Sequence, residues 1–282
     1  MTICVGVKVN DCIVFVTDSA SSMLTKNEAG QDTVVRVYNH GDKIFNLFRG
    51  LPIVAMTCGL GNFGRQSIST VVKGIRAEMM QPESGVSPDN YTIEQVSTFV
   101  YERFLAKFEL LDERVRNEAS FEFFIGGYSA NADESEIWKF QFSLGTISAP
   151  QCILGAGLSD VVWAGQPEAC IRLVLGVSSA TFGALKDAGL TDEQAHALQQ
   201  NIMRNSAAIV IEPAMPVRDA IDLGRFLAQT TVSFTKFLPG VATVGGELDI
   251  ATVTKFEGFR WIKRKHFYPR DLNQETDHVG QS

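Results

Sequence analysis

The sequence has few cysteines, no long apolar run and no excess of positive charge, and each of these features excludes some classes of protein. Its five cysteines are odd in number, lack CxxC spacing and mostly lie within apolar runs, which fits a reduced interior. No apolar run approaches the roughly 18 residues that span a bilayer. The first residues also lack the basic-then-apolar layout of a secretory signal. We therefore expect a cytoplasmic protein that begins at Met1 and does not enter a membrane.

Charge and histidine content exclude further classes of function. The formal net charge is -7, which argues against binding nucleic acid over the whole surface. The single basic cluster, residues 263–266, is predicted to be solvated. The four histidines are scattered without ligand spacing, and the chain has no GxxxxGK[ST] run for ATP. We expect neither a metal nor a cofactor.

The composition of the chain is typical of a globular protein. It has 282 residues, of which 45% are hydrophobic, and this is enough to bury a large core. We find no internal repeat, low-complexity tract or linker. We therefore predict a single domain over residues 1–265 and a C-terminal tail over residues 266–282.

Strand signals dominate the beginning of the chain. Residues 2–18 read "TICVGVKVNDCIVFVTD", in which the Asn10-Asp11 turn pair separates two runs rich in Val and Ile. This pattern predicts a hairpin that starts at the N-terminus. "KIFNLF" and "PIVAMTC" flank Arg49-Gly50 as a second hairpin signal.

Helix and strand signals then alternate. Helical spacing of apolar residues predicts helices over residues 63–80 and from Thr92 to about Arg116, the second opened by a capping pair at Thr92 and Gln95. Three strands are predicted next, at residues 121–128, 136–143 and 150–154. Three helices follow, at 166–176, from the Thr191/Gln194 capping pair onward, and at 216–235. Two strands, "GELDIATVT" and "GFRWIKR", close the chain. This order favours an α+β fold with four layers, an αββα sandwich.

The ordered N-terminus suggests a nucleophile. If Met1 is removed, which is expected before a residue as small as Thr, Thr2 carries a hydroxyl and a free α-amine on one residue. An α-amine has a pKa of about 8, so at neutral pH part of it is unprotonated and can accept the hydroxyl proton. Thr2 is otherwise simply the second residue of the chain.

Such a site needs a positive charge near the amine and a carboxylate to hold that charge. Asp18 ends the second strand, and Lys43 opens the third. Either residue also has a simpler interpretation, because Asp18 could cap a turn and Lys43 could be an exposed charge at a strand start.

At these residues the sequence resembles a known family. "TICVGVKVNDCIVFVTDS", "DKIFNL" and "CGLGN" are similar to the opening of proteasome β-subunits and their bacterial HslV and Anbu relatives among the N-terminal-nucleophile hydrolases. "VGGELDIATVTKFEGFRWI" resembles the strand pair that closes these folds. The resemblance implies that Thr2 is the nucleophile, that Asp18 and Lys43 support it, and that Gly59 contributes to the oxyanion hole. Gly59 could instead serve only strand-to-helix packing.

Several positions depart from the family pattern. Ala20 stands where many relatives carry Arg, and the helper serine would fall on Ala156. The later Asp and Ser that support the terminal amine would fall on Val241 and Val244. Part of the shell that supports the site is therefore missing, and we expect any activity to be slow.

Two further stretches could be mistaken for functional motifs. Cys58 has no histidine placed to partner it, so we interpret it as a buried structural thiol. "WAGQPEA", residues 163–169, is interpreted as a helix N-terminus.

The resemblance predicts a threonine-type peptidase that acts on a peptide or protein through an acyl-enzyme on Thr2. It also implies a homo-oligomeric ring, with an unfolding ATPase as a possible partner. Three alternatives stay open: an amidohydrolase acting on a small non-peptide amide, a catalytically silent ring or scaffold of the same fold, and a small-molecule binding domain. Retention of Met1 would favour the silent scaffold, because a blocked amine cannot act as the base.

Overall fold

A computed structural model describes residues 2–26 and 32–265, and it combines helices with several β-sheets. The strands in chain order are β1 (Ile3–Val9), β2 (Cys12–Thr17), β3 (Ser21–Lys26), β4 (Asp32–Tyr38), β5 (Ile44–Asn46), β6 (Ile53–Gly59), β7 (Asn62–Phe63), β8 (Gln66–Ser67), β9 (Ser120–Tyr128), β10 (Ser135–Ser143), β11 (Thr146–Leu154), β12 (Asp160–Gly165), β13 (Asp249–Thr254) and β14 (Gly258–Lys263). The helices are α1 (Ile68–Met79), α2 (Ile93–Glu109), α3 (Glu113–Glu118), α4 (Glu168–Cys170), α5 (Thr181–Asp187), α6 (Asp192–Ser206) and α7 (Val217–Thr235). This mixture of helices and several sheets is compatible with the predicted α+β class.

The predicted N-terminal hairpin is confirmed. β1 and β2 pair antiparallel from Val9↔Cys12 to Cys4↔Thr17, around the Asn10-Asp11 turn. Every residue of both strands is buried, which explains why the two runs are apolar almost throughout instead of alternating with polar residues. This register brings the residue after β2 next to the start of β1.

The larger strands form two five-stranded sheets. The first has the order β12-β1-β2-β13-β14, and the second has the order β11-β10-β9-β6-β5. All pairings within both sheets are antiparallel. The second predicted hairpin is confirmed as β5 and β6, and the predicted closing strands are β13 and β14.

Three apolar clusters hold the sheets and helices together. One joins α1 and α2 to the second sheet and contains four phenylalanines of β9 and β10, namely Phe121, Phe123, Phe140 and Phe142. Another joins α7 and the α4 region to the first sheet. The remaining cluster contains residues of both sheets, such as Phe15 on β2 and Phe124 on β9. Each sheet therefore has apolar contacts on two faces.

Both predicted capping boxes are present. The Thr92 hydroxyl accepts the Gln95 N–H, and the Gln95 side chain accepts the Thr92 N–H. Thr191 and Gln194 make the same reciprocal pair at the start of α6. Such pairs satisfy backbone donors that a helix N-terminus otherwise leaves unpaired.

Two predicted helices have different bounds in the structure. α1 begins at Ile68 rather than Phe63, because residues 62–67 form the short β7–β8 turn and Ser67 caps the helix. The helix that starts at Thr92 ends at Glu109 instead of about Arg116, and α3 follows separately.

The sequence prediction omitted several elements. β3 and β4 pair with each other in a separate two-stranded sheet within a stretch expected only to be polar. β12 and α5 were also not predicted. β12 matters most for the site, because it pairs with β1 along its whole length. The predicted tail, residues 266–282, lies outside the described residues, and the single domain over 1–265 stays a prediction.

Candidate active site

The three polar residues predicted from the sequence meet at one point. The Thr2 hydroxyl donates a hydrogen bond to Oδ1 of Asp18. The Lys43 ammonium donates to Thr2 Oγ1 and, at 2.6 Å, to Asp18 Oδ1. Thr2 is 4% exposed, Asp18 is fully buried and Lys43 is 8% exposed. The structure thus joins a hydroxyl, a carboxylate and an ammonium in one buried network.

The fold explains why these residues meet. The β1–β2 register places Asp18 beside the start of β1, where its N–H donates to the Ile3 carbonyl at 3.2 Å. Lys43 comes from the second sheet, directly before β5, and its carbonyl accepts the Thr57 N–H at 2.9 Å. The network therefore lies where the two sheets face each other.

Backbone donors complete the surroundings of Asp18. Its Oδ1 accepts the Ile3 N–H at 3.1 Å, and its Oδ2 accepts the N–H groups of Ala20 at 3.2 Å and Gly245 at 3.0 Å. With the hydroxyl and the ammonium, five donors converge on one carboxylate. Hydrogen bonds to a charged acceptor are stronger than those between neutral groups, so this arrangement fixes the position of the carboxylate.

Gly59 has a structural reason to be glycine. It ends β6 with a φ of +101°, and a Cβ there would lie 1.9 Å from the Ser120 carbonyl oxygen on β9. Close packing of two strands therefore accounts for the residue type without any catalytic role. The oxyanion role of Gly59 stays a prediction.

A cleft of about 570 Å³ opens beside the network. Both Lys43 and Gly59 line it. So do Asp42 and Ser69, whose hydroxyl donates to the Asp42 carboxylate at 3.0 Å. The volume lies within the range that small-ligand sites occupy, and a few polar groups fix orientation in such sites.

The neighbouring thiols are structural. Cys58 is buried, as predicted, and the Cys4 thiol donates to the Thr57 carbonyl at 3.1 Å. Burial, a hydrogen bond with Cys58 and the charge of that neighbour raise the pKa of Cys4 well above its usual value, and the nearby Lys43 charge opposes this only in part. A thiol with a raised pKa is a poor nucleophile at neutral pH.

The residues on the other side of Thr2 were missed by the sequence analysis. The Gln166 N–H donates to the Thr2 carbonyl at 2.7 Å. Gly165 has a φ of +93°, and a Cβ there would lie 2.0 Å from the same carbonyl oxygen. "WAGQPEA" does lead into α4, as predicted, but its Gly-Gln pair also packs against the candidate nucleophile.

The placement of the helper serine at Ala156 is wrong. β1 and β12 run antiparallel, with Ile3 opposite Gly165 and Lys8 opposite Asp160. Ala156 comes before Asp160 and therefore lies beyond the Lys8 end of the pair, away from Thr2. The "GAGL" turn resembles the family's turn in its letters, but the β1–β12 pairing brings Gly165 and not Ala156 beside Thr2.

The other departures from the family pattern have defined surroundings. Val241 is exposed, whereas Val244 is buried in the cluster that joins α7 to the first sheet. Neither supplies a polar side chain to Thr2. Ala20 is buried and contributes its backbone N–H to Asp18.

The expectation that the basic cluster is solvated is wrong for Lys265. Lys263 is 49% exposed in its side chain, whereas Lys265 is 4% exposed. The Lys265 ammonium forms a buried ion pair with Asp249 on β13. No local pattern indicates this burial, because the residues beside Lys265 in the sequence are also basic.

Comparison with protein-family models finds no model that matches the chain, and comparison with curated proteins finds no match either. Within residues 2–26 and 32–265, no group of three or more His, Cys, Asp or Glu side chains could hold a metal ion. No helix in the same described ranges is long and apolar enough to cross a bilayer.

Proposed function

We propose that this protein is a threonine-type peptidase of the N-terminal-nucleophile hydrolase class, related to proteasome β-subunits. The observation that carries the proposal is the contact of the Thr2 hydroxyl with both the Asp18 carboxylate and the Lys43 ammonium. Burying two charged groups costs free energy, and the packing of strands does not require it. A buried hydroxyl held between a carboxylate and an ammonium therefore points to a chemical role.

The proposed reaction starts after removal of Met1. Thr2 Oγ1 attacks the carbonyl carbon of a peptide bond, and its proton passes to the α-amine of the same residue. The Lys43 ammonium stabilises negative charge that develops on Oγ1, and Asp18 holds the ammonium in place. The tetrahedral intermediate, with its oxyanion facing the Gly59 N–H, collapses as the leaving amine takes the proton. Water then hydrolyses the Thr2 ester and restores the hydroxyl.

The fold that we propose is the four-layer αββα sandwich of these hydrolases. Support comes from the three apolar clusters: one between α1–α2 and the second sheet, one containing residues of both sheets, and one between the first sheet and α7. The position of Thr2 at the start of β1 also suits this fold.

The proposed partners follow from the resemblance: a peptide or protein substrate, further copies of the chain in a closed ring, and an unfolding ATPase in the cytoplasm. The apolar face of α2 is buried against the second sheet, so it is not available for contacts between copies. Light scattering tests the ring directly, and a 30.9 kDa monomer at micromolar concentration would contradict it.

The decisive experiment combines mass spectrometry with a covalent probe. The purified protein should begin at Thr2, and a peptide epoxyketone, which captures a hydroxyl and an adjacent free amine, should add to the N-terminal peptide. Thr2→Ala should fold but form no adduct, and Thr2→Ser should retain part of the reactivity. A Thr2→Ala protein that cleaves fluorogenic peptides as fast as wild type would show that the site is elsewhere.

The second candidate is a catalytically silent scaffold of the same fold. It is favoured by the apolar side chains of Val241 and Val244, where relatives carry polar supporters of the amine. Retention of Met1 in the mature protein, together with failure of the epoxyketone to react, would establish this alternative.

A further inference from the structure

The Lys265 ammonium connects segments that are far apart in the chain. It donates to the Gly41 carbonyl at 2.9 Å and to the Ser19 hydroxyl at 3.2 Å, besides its contact with Asp249 Oδ2. The Lys265 backbone N–H also donates to Asp249 Oδ1 at 3.0 Å. All three hydrogens of the ammonium therefore have acceptors within a buried site.

The segments that Lys265 contacts are those that carry the candidate site. Ser19 directly follows Asp18, and Gly41 lies two residues before Lys43. The two segments also touch each other, because the Gly41 N–H donates to the Ser19 carbonyl at 2.8 Å.

A third segment joins through Ser19. The Ser19 hydroxyl donates to the Glu247 carbonyl at 2.6 Å, and its N–H donates to the Gly245 carbonyl at 3.1 Å. Gly245 in turn donates its own N–H to the Asp18 carboxylate. One ammonium thus braces the backbone on both sides of the Asp18–Lys43 pair.

We infer that Lys265 is a positioning residue for the Thr2 site, acting through the Ser19 and Gly41 segments that hold Asp18 and Lys43. This inference rests on the proposed peptidase function. It also suggests how a site without the polar supporters found in relatives keeps its geometry. The Lys265 ammonium, which follows β14, holds the backbone segments that carry Asp18 and Lys43. Lys265 itself makes no contact with Thr2 among the hydrogen bonds of the described residues.

The test needs a variant that removes the brace without leaving a buried charge alone. Lys265→Met by itself strands the Asp249 carboxylate and could prevent folding. Lys265→Met combined with Asp249→Asn removes one charge of each sign, and the asparagine oxygen can still accept the backbone N–H of residue 265. Asp42, whose carboxylate lies 3.6 Å from the ammonium, is 24% exposed and keeps its contact with water. Lys263→Met is the matched control, because Lys263 lies two residues away on the same strand end but is half exposed.

Three measurements distinguish positioning from general stability. Amide hydrogen exchange should become at least about tenfold faster at Gly41 and Ala20 in the double variant, at a temperature where its near-UV spectrum is native. Cleavage of a fluorogenic tripeptide amide should lose about 10- to 100-fold in kcat with KM within about twofold of wild type, because misplacing a reacting group by about 1 Å costs that much. Epoxyketone adducts should form more slowly by a similar factor. Lys263→Met should match wild type throughout.

The outcomes separate the two proposals. If wild type forms the adduct and the double variant keeps wild-type kcat, the positioning role is wrong while the peptidase stands. Exchange at Gly41 and Ala20 that equals the control would overturn the bracing on its own, whatever the activity. A wild-type protein that begins at Thr2 and never reacts overturns the proposed function, and the catalytic positioning role with it.

Discussion

The buried pair of Asp18 and Lys43 should behave as one energetic unit. Their charged atoms lie 2.6 Å apart, and both side chains are almost wholly inaccessible to water. Removing one partner of such a pair costs about 3–5 kcal/mol, since the other charge remains buried without compensation. We therefore expect Asp18→Asn and Lys43→Met each to lower the free energy of unfolding by about that amount.

The substitution at Asp18 has a second cost. An asparagine that keeps its oxygen toward Lys43 turns its amide toward the N–H groups of Ala20 and Gly245, so that donors face donors. When Lys43 is also replaced, the amide can turn its oxygen toward Ala20 and Gly245, so that only the Ile3 N–H faces a donor, and the cost of the lone charge disappears as well. The double variant should therefore be less destabilised than the sum of the singles, by at least about 2 kcal/mol.

Urea unfolding at pH 7, followed by far-UV circular dichroism, measures the cycle. The control cycle uses Lys263→Met and Glu247→Gln, an ion pair of 3.5 Å with both side chains about half exposed, for which we expect a coupling below about 1 kcal/mol. Activity should follow the same logic, so that removing both buried residues costs little more than removing either. Strictly additive losses in stability for Asp18 and Lys43 would refute this reasoning.

Three further predictions concern the scaffold. Gly165→Ala should lower the free energy of unfolding by at least about 3 kcal/mol, because the added Cβ would clash with the Thr2 carbonyl. Gly74→Ala, on the open side of α1, should be neutral or stabilising, and equal effects of the two substitutions in thermal melts would contradict the close approach at Gly165. Hydrogen bonds from residue 179 are the main cause that lowers the pKa of Glu168 to about 2. Glu168→Gln should therefore lower the free energy of unfolding by about 1–2 kcal/mol at pH 7, and by progressively less as the pH falls from about 4.5 toward 2. A difference that does not change with pH would be inconsistent with the lowered pKa. Thr92→Ala should cost about 1 kcal/mol by removing the cap of α2, and unchanged urea midpoints would argue against the capping box.

Local signals in the sequence were sufficient for much of the fold. The β1–β2 hairpin, both capping boxes and the closing strand pair follow from residue type and spacing over fewer than 20 residues. β12 was not recognised, because "DVVWAG" is short and is followed at once by a helix signal. Its pairing with β1 depends on tertiary contacts that no local pattern encodes.

The residues of the candidate site also include some that the sequence predicts and others that it does not. Lys43 comes from the second sheet, and the family resemblance, not a local pattern, implied that it joins the site. Thr2 and Asp18 stand at the two ends of a predicted hairpin, so their meeting could be anticipated. The N–H of Gly245 and the ammonium of Lys265 could not, because backbone donors carry no residue signature and a lysine among basic neighbours looks solvated. Gly165 is recognisable only once its positive φ is known.

The hydrogen bond from Gly245 to Asp18 joins residues 227 positions apart. A ribosome that adds about 5–20 residues per second needs on the order of ten to fifty seconds to make the chain between them. For most of that interval Thr2, Asp18 and Lys43 are all synthesised, but the carboxylate lacks one of its donors and the contacts of Lys265 do not yet exist. The nascent chain therefore carries an unfinished site, and its completion coincides with the docking of the strands made last.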